Sequence, residues 1–187
     1  LTAKDGNNVT IDVSKATGSS GAFKLVGGTG KDTLTGGAGA DIITGGDDID
    51  TIDGGAANDI ITGGAGNDII TGGDGNDSIT IDTDTDKIND LGGSTGNDQD
   101  VVVVKAGATL NAINIIGFTA TNSTQNNSTG ASNAVLNAKD GENVTIDVSK
   151  ATGAFKLVGG TGQDTLTGAG GADTITGGGE ADTIVGN

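Results

Sequence analysis

Residues 27–80, written in nines, read GGTGKDTLT, GGAGADIIT, GGDDIDTID, GGAANDIIT, GGAGNDIIT and GGDGNDSIT. Six units follow one another without insertion. Each opens on Gly-Gly, carries Asp at its sixth position (Asp32, Asp41, Asp50, Asp59, Asp68, Asp77) and has Leu or Ile at its eighth. A seventh unit, IDTDTDKIN at residues 81–89, loses the glycines but keeps Asp86 and Ile88 in phase. A second array begins at Gly159 and reads GGTGQDTLT, GAGGADTIT, GGGEADTIV, with Asp164, Asp173 and Asp182 at the sixth positions.

A fixed short period is the mark of a solenoid, in which each unit buries its apolar face only by stacking on its neighbours. Nine residues suit a tight turn followed by a three-residue strand. The glycine pair and the fourth-position glycine permit positive φ in that turn. Thr33-Leu34-Thr35 alternates polar, apolar, polar, so one side chain points inward and two outward. Thr and Ile favour strands. The seventh-position Ile42, Ile60 and Ile69 are expected to face outward, as a candidate lateral contact surface.

A turn of small residues presents backbone carbonyls, and a carboxylate at a constant place adds charge. Ca²⁺ takes six to eight oxygens. One turn offers too few, so two adjacent turns must share each ion, and calcium becomes part of the stacking interface. The ordering cost of this glycine-rich backbone exceeds what the inward Leu and Ile side chains return. Stacked aspartates repel one another as well. The metal-free roll is therefore expected to be largely unfolded, and calcium to fold it.

These units resemble the RTX (haemolysin-type) calcium-binding repeat, consensus G-G-x-G-x-D-x-U-x. The resemblance covers residues 27–89 and 159–185, about half the chain. It implies an all-β fold: a parallel β-roll or β-helix solenoid with two units per coil, several Ca²⁺ ions between turns on each edge, and non-repeat β segments as caps. Asp32, Asp50, Asp68 and Asp86 would form one column; Asp41, Asp59 and Asp77 the other. Asp164 and Asp182 would pair in a second roll, with Asp173 opposite. The fourth position is Asp48, Ala57 or Glu180 in three units, and Ala169 replaces a second glycine. These departures predict weaker or distorted calcium turns at Asp50, Asp59 and Asp182. Asp47 and Asp74, at third positions, are candidates for outer charge.

The organisation expected is a lead-in cap at 1–26, a first roll at 27–100, a β connector with a polar loop at 101–134, a second lead-in at 135–158 and a second roll at 159–187. In the first lead-in, Val9, Ile11 and Val13 alternate inward on a strand, and residues 22–26 form a second strand. Residues 90–100 read as a broken final unit, with Asp98 or Asp100 as a last ligand. Residues 101–105 form an apolar strand. Residues 109–119 are ambiguous between strand and short helix, and the alternation of Ile113 and Ile115 favours strand. Residues 120–132, rich in Asn, Ser and Thr, read as a surface loop. The chain then repeats itself. Residues 138–153 copy residues 3–18 with Glu142 for Asn7, and residues 154–168 copy residues 22–36 with Gln163 for Lys31. This second period, 135 positions from Ala3 to Ala138 and 132 from Ala22 to Ala154, points to a tandem module.

Composition narrows the function. The 187 residues carry 25 acidic and 9 basic side chains, for a net charge of −16. A basic face for nucleic acid is absent. There is no His and no Cys, which removes His-based acid–base pairs, a Cys nucleophile, disulfides and His-ligated zinc. Paired carboxylates alone could suggest a glycosidase, but every pair here follows from repeat phase, so no enzymatic activity is expected. No apolar run approaches the length of a transmembrane helix, and there is no signal-peptide pattern. Leu1 and the closing Gly186-Asn187 suggest a window from a longer protein. The resemblance implies passage across the envelope unfolded by a type I system, with folding in extracellular calcium. The leading expectation is a structural module of a secreted, repetitive cell-surface protein, an S-layer lattice or extracellular filament that contacts copies of itself. The alternative is the calcium-triggered tail or stalk of a type I-secreted enzyme, toxin or giant adhesin.

Overall fold

A computed structural model of the chain describes residues 1–3, 6–16, 21–91, 99–115, 117–120, 124–128 and 134–187. Every strand pairing among them is parallel, and none of them is helical. The result is an all-β parallel solenoid of about eight turns. A nine-stranded sheet runs β1 (Thr10–Asp12), β3 (Thr33–Thr35), β5 (Thr51–Ala56), β7 (Ile69–Asp74), β9 (Thr85–Asp90), β11 (Thr109–Ile115), β14 (Ala134–Ala138), β16 (Lys156–Gly160), β18 (Thr174–Gly178). Facing the first part of it is a six-stranded sheet of β2 (Lys24–Thr29), β4 (Ile42–Asp47), β6 (Ile60–Gly64), β8 (Ser78–Ile81), β10 (Val101–Val104) and β13 (Gln125–Asn126). A four-stranded sheet of β12 (Gly117–Thr119), β15 (Thr145–Asp147), β17 (Thr165–Thr167) and β19 (Thr183–Val185) completes the second part.

The two-unit coil follows from the register. Ile43 pairs with Ile61 and Ile61 with Ile79 on one sheet, while Leu34 pairs with Ile52 and Ile52 with Ile70 on the other. Eighth-position side chains therefore stack directly on one another. Leu34, Ile43, Ile52, Ile61, Ile70, Ile79 and Ile88 are each at most 1% exposed. Ile42 and Ile60 stand at 45% and 52%, as the outward phase requires.

Several details depart from the sequence reading. β3, β17 and β19 are three residues long as expected, but β4, β5 and β7 run on through the glycine pair into the third position. The pair thus belongs to the sheet ladder, with Gly28 aligned on Gly46 and Gly46 on Gly64. β2 starts at Lys24, where its pairing with Ile42 begins, rather than at residue 22, and its ladder likewise extends into Gly28 and Thr29. The ambiguous segment is strand, split into β11 and β12. The Asn-rich loop is not wholly superficial. Thr124 and Asn126 are buried, and Asn126 Nδ2 donates to the Ala154 carbonyl at 2.5 Å. The expected broken unit falls mostly at 92–98, outside the described residues.

The second copy also exchanges faces. β2 lies in the six-stranded sheet, but its counterpart β16 extends the nine-stranded one. β3 lies in the nine-stranded sheet, but β17 belongs to the four-stranded one. Successive copies are turned by about half a coil, so one sheet runs through both.

Candidate metal centre

Most of the buried polar residues among those described are sixth-position aspartates. Asp32, Asp41, Asp50, Asp59, Asp68, Asp77, Asp86 and Asp164 are each at most 2% exposed. Asp173 and Asp182, in the last coils, are only half-buried, since less chain is stacked over them. Each carboxylate is tied to the coil before it. Asp50 Oδ1 accepts the Asp32 N–H at 2.7 Å, Asp68 accepts that of Asp50 at 2.8 Å, and Asp86 that of Asp68 at 2.9 Å. On the other edge Asp59 accepts from Asp41 at 2.6 Å, Asp77 from Asp59 at 2.8 Å, and Asp100 from Asp77 at 2.9 Å. In the second roll Asp182 accepts from Asp164 at 3.0 Å, and Asp173 accepts from Phe155 at 2.8 Å.

The structure therefore brings the residues together in the two columns that the resemblance implies, with Asp164 and Asp182 on one edge and Asp173 on the other. Asp100 closes the second column, 23 positions after Asp77 rather than 18; Asp98 lies outside the described residues. The lead-in segments start the columns. Val9 and Val144 donate to Asp32 and Asp164, and Phe23 donates to Asp41.

One oxygen of each pair is thereby used. The other, Oδ2, is buried without a hydrogen-bond partner on Asp32, Asp50, Asp59, Asp68, Asp86, Asp164 and Asp173. Asp41 differs, since its Oδ2 accepts the Gly37 N–H at 2.8 Å. A buried carboxylate oxygen left unmatched is costly. The place each one occupies is defined by the first glycine of its own unit. A Cβ on Gly27 would overlap both Asp32 Oδ2 and the carbonyl oxygen of Gly45, one coil on; the same holds at Gly45 for Asp50 and Gly63, and at Gly159 for Asp164 and Gly177. The first glycine is thus required by space. In each cradle a carboxylate oxygen and a carbonyl oxygen from the next coil face the same small volume.

The second glycine and the fourth position are where positive φ is needed, for example Gly46 at +131°. Asp48, Ala57 and Glu180 adopt the same left-handed conformation at +72°, +71° and +63°, and Asp84 does so at +62°. Those turns are strained but keep the backbone path, and Asp50 and Asp59 beside them keep the ladder bonds of the regular units. Their φ still differs from that of the fourth-position Gly30, Gly66, Gly75 and Gly162, which stand at +108° to +136°.

Electrostatics is unfavourable without a cation. Burial pushes Asp50 and Asp59 up to about 6, and neighbouring carboxylates of the same columns add to the rise. Burial pushes Asp86 up to about 7, again helped by Asp68. Asp68 is raised for the same cause. The backbone hydrogen bonds to these carboxylates act in the opposite sense and do not win. Among the described residues no three carboxylates converge on one point. An ion held here would draw on the turn carboxylates and the backbone carbonyls of adjacent coils, a donor set of hard oxygens that fits Ca²⁺.

A family model for the RTX calcium-binding nonapeptide repeat matches residues 17–52, 44–79 and 156–187. The chain belongs to the RTX calcium-binding nonapeptide repeat family. No curated protein and no solved structure matches it. Membership implies calcium, and the orphaned Oδ2 atoms with their glycine cradles are consistent with a resident hard cation. This is a calcium-binding structural repeat module in a β-solenoid. No helix among the described residues is long and apolar enough to cross a membrane.

Sequence reasoning missed a second ladder. Asn58 Oδ1 accepts the Asn76 N–H at 2.9 Å, and Asn76 Oδ1 accepts that of Gln99 at 2.7 Å. Asn67 does the same for Thr85, Asn8 for Lys31 and Asn143 for Gln163. Here the later residue donates to the earlier, opposite to the aspartate ladder. The signal available was the Asn-Asp pair recurring at positions five and six of the units.

Proposed function

We propose that Asp32, Asp41, Asp50, Asp59, Asp68, Asp77, Asp86, Asp164, Asp173 and Asp182 hold several Ca²⁺ ions between successive turns, and that these ions drive folding. The observation behind this is the column of buried carboxylate oxygens without partners, beside glycine carbonyls of the next coil. Bound calcium supplies the positive charge that the columns lack. The protein's own contribution is to orient Oδ1 by the ladder bond and to keep the cradle clear with glycine.

We further propose that the chain is a structural module of a secreted, repetitive cell-surface protein, in a lattice or filament of copies of itself. Support comes from the way the near-identical second copy continues the first: β14 stacks on β11 and β15 on β12, in parallel register, so one sheet runs through both. Free extracellular calcium would fill sites of the weak class that stay empty in the cytosol. The test combines circular dichroism with electron microscopy, in calcium and in EGTA. Calcium should produce the β spectrum and ordered assemblies, and EGTA should abolish both. An unchanged β spectrum in EGTA defeats the folding reading. A lattice that persists in EGTA defeats the assembly reading.

A further inference from the structure

The cradles of the first roll are not alike. A Cβ on Gly27, Gly36, Gly45 or Gly54 would overlap an oxygen of its own unit's aspartate and, one coil on, the carbonyl oxygen of Gly45, Gly54, Gly63 or Gly72 respectively. Beside Gly63 the nearest atoms all belong to Asp68, and beside Gly72 all belong to Asp77, with no carbonyl of the next coil among them. The seventh unit is the cause. Ile81 stands where a first glycine is expected and is buried at 0%; its carbonyl accepts the Lys105 N–H at 2.9 Å, in the coil beyond. On the other edge the register slips, since Ile70 pairs with Ile88 but Thr71 with Asp90, and Leu91 is buried at 0%.

The seventh turn is tied to its neighbours directly instead. It carries three carboxylates, Asp82, Asp84 and Asp86. Asp84 Oδ2 accepts the Gly66 N–H at 3.2 Å, and Thr85 N–H donates to Asn67 Oδ1 at 3.0 Å. The Lys105 ammonium pairs with Asp82 Oδ1, and the Asp82 side chain is only 20% exposed. On top of the burial that dominates, the charges of Asp84 and Asp82 also push Asp68 and Asp86 up. These four carboxylates thus form one electrostatic group, and Lys105 brings it a positive charge. The column goes no further, because Leu110, at 0% exposed, aligns on Asp86. Two cations drawn to one such group repel each other.

We propose that the calcium sites of the first roll fall into two classes. The cradles at Gly27, Gly36, Gly45 and Gly54 fill first, while at the seventh unit Lys105 is a built-in cation, and calcium at Asp68 and Asp86 binds last, in competition with it. Two facing oxygens define the first class. A missing carbonyl and a resident ammonium define the second. The proposal rests on the calcium reading above and adds to it an order of filling and a residue that sets it.

The test is amide exchange of the full chain across a calcium titration, read separately at residues 42–61 and 81–90. Protection at 81–90 should need about tenfold more calcium than at 42–61, as affinity follows the ligand set. Lys105→Met removes the competing charge and should lower the midpoint at 81–90 about threefold, leaving that at 42–61 in place; Lys105→Arg should behave as the parent. One shared midpoint in the parent overturns the proposal without any variant. A Lys105→Met chain whose midpoint at 81–90 is unchanged or raised, or that does not fold at any calcium concentration, also overturns it, because Lys105 would then be only a structural support. Failure of the calcium reading itself would appear separately, as protection indifferent to EGTA in both segments.

Discussion

Replacing Asp50 by Asn should change stability in opposite directions with and without calcium. The amide keeps an oxygen for the Asp32 N–H at 2.7 Å. Its NH₂ takes the place of Oδ2 in the Gly45 cradle, where the Gly63 carbonyl can accept it. What disappears is the charge. The folded protein holds Asp50 at about 6 against 3.8 for a free aspartate, mainly through burial, which corresponds to about 3 kcal/mol of penalty for the ionised form. Asp50 is fully buried by surface area but lies in a thin roll with water close by, and screening brings the expected gain to roughly 1–2 kcal/mol. In EGTA at pH 7.5 the variant should therefore be more stable than the parent. In calcium it loses an anionic ligand, and the calcium concentration for half-folding should rise about tenfold, the equivalent of about 1.4 kcal/mol. The assay is urea unfolding followed by circular dichroism, with an excluded osmolyte added to bring the EGTA samples into the transition region. The sign against pH is also set. The folded pKa lies above the unfolded one, so the folded state binds the extra proton between about pH 4 and pH 6, and stability of the parent in EGTA falls as pH rises through that window. The advantage of Asn should vanish below pH 4, where the parent carboxyl is neutral too. A variant destabilised equally in calcium and in EGTA would refute this reasoning, because Asp50 would then be only a hydrogen-bond acceptor.

Three further outcomes follow from the same geometry. Gly45→Ala places a Cβ against Asp50 Oδ2 and the Gly63 carbonyl and should abolish calcium-induced folding, whereas Gly170→Ala meets nothing within 4 Å and should shift the urea midpoint by less than about 0.5 kcal/mol. Ile61→Ala, in the core at 0% exposed, should cost about 2–5 kcal/mol by calcium-saturated urea unfolding, while its neighbour Ile60→Ala, at 52%, should be near neutral. Acidification in EGTA from pH 7.5 towards pH 4 should strengthen residual β structure, because Asp59 at about 6 and Asp86 at about 7 take up protons in the folded state; loss of β signal over that range would contradict the buried, ionised columns.

The nine-residue period determines the inward line from Leu34 to Ile88 and the outward Ile42 and Ile60; the two-unit coil and the two aspartate columns are what the resemblance to the RTX repeat implied. Strand alternation is a local property, so the inward and outward lines need no knowledge of distant contacts. Other features belong to tertiary structure because they are contacts between residues some 18 to 28 positions apart. The first glycine proves to be a steric requirement, since only the stacked coil shows a carboxylate and a carbonyl filling the space beside Gly27 and Gly45. The asparagine ladder needs Asn58 and Asn76 in register. Burial of Thr124 and Asn126 needs the second copy laid over a loop that composition reads as polar surface. The exchange of faces between β2 and β16 depends on the connector's path and on which strand covers which. Local pattern settles which way a side chain points along a strand, but only packing settles what it meets there.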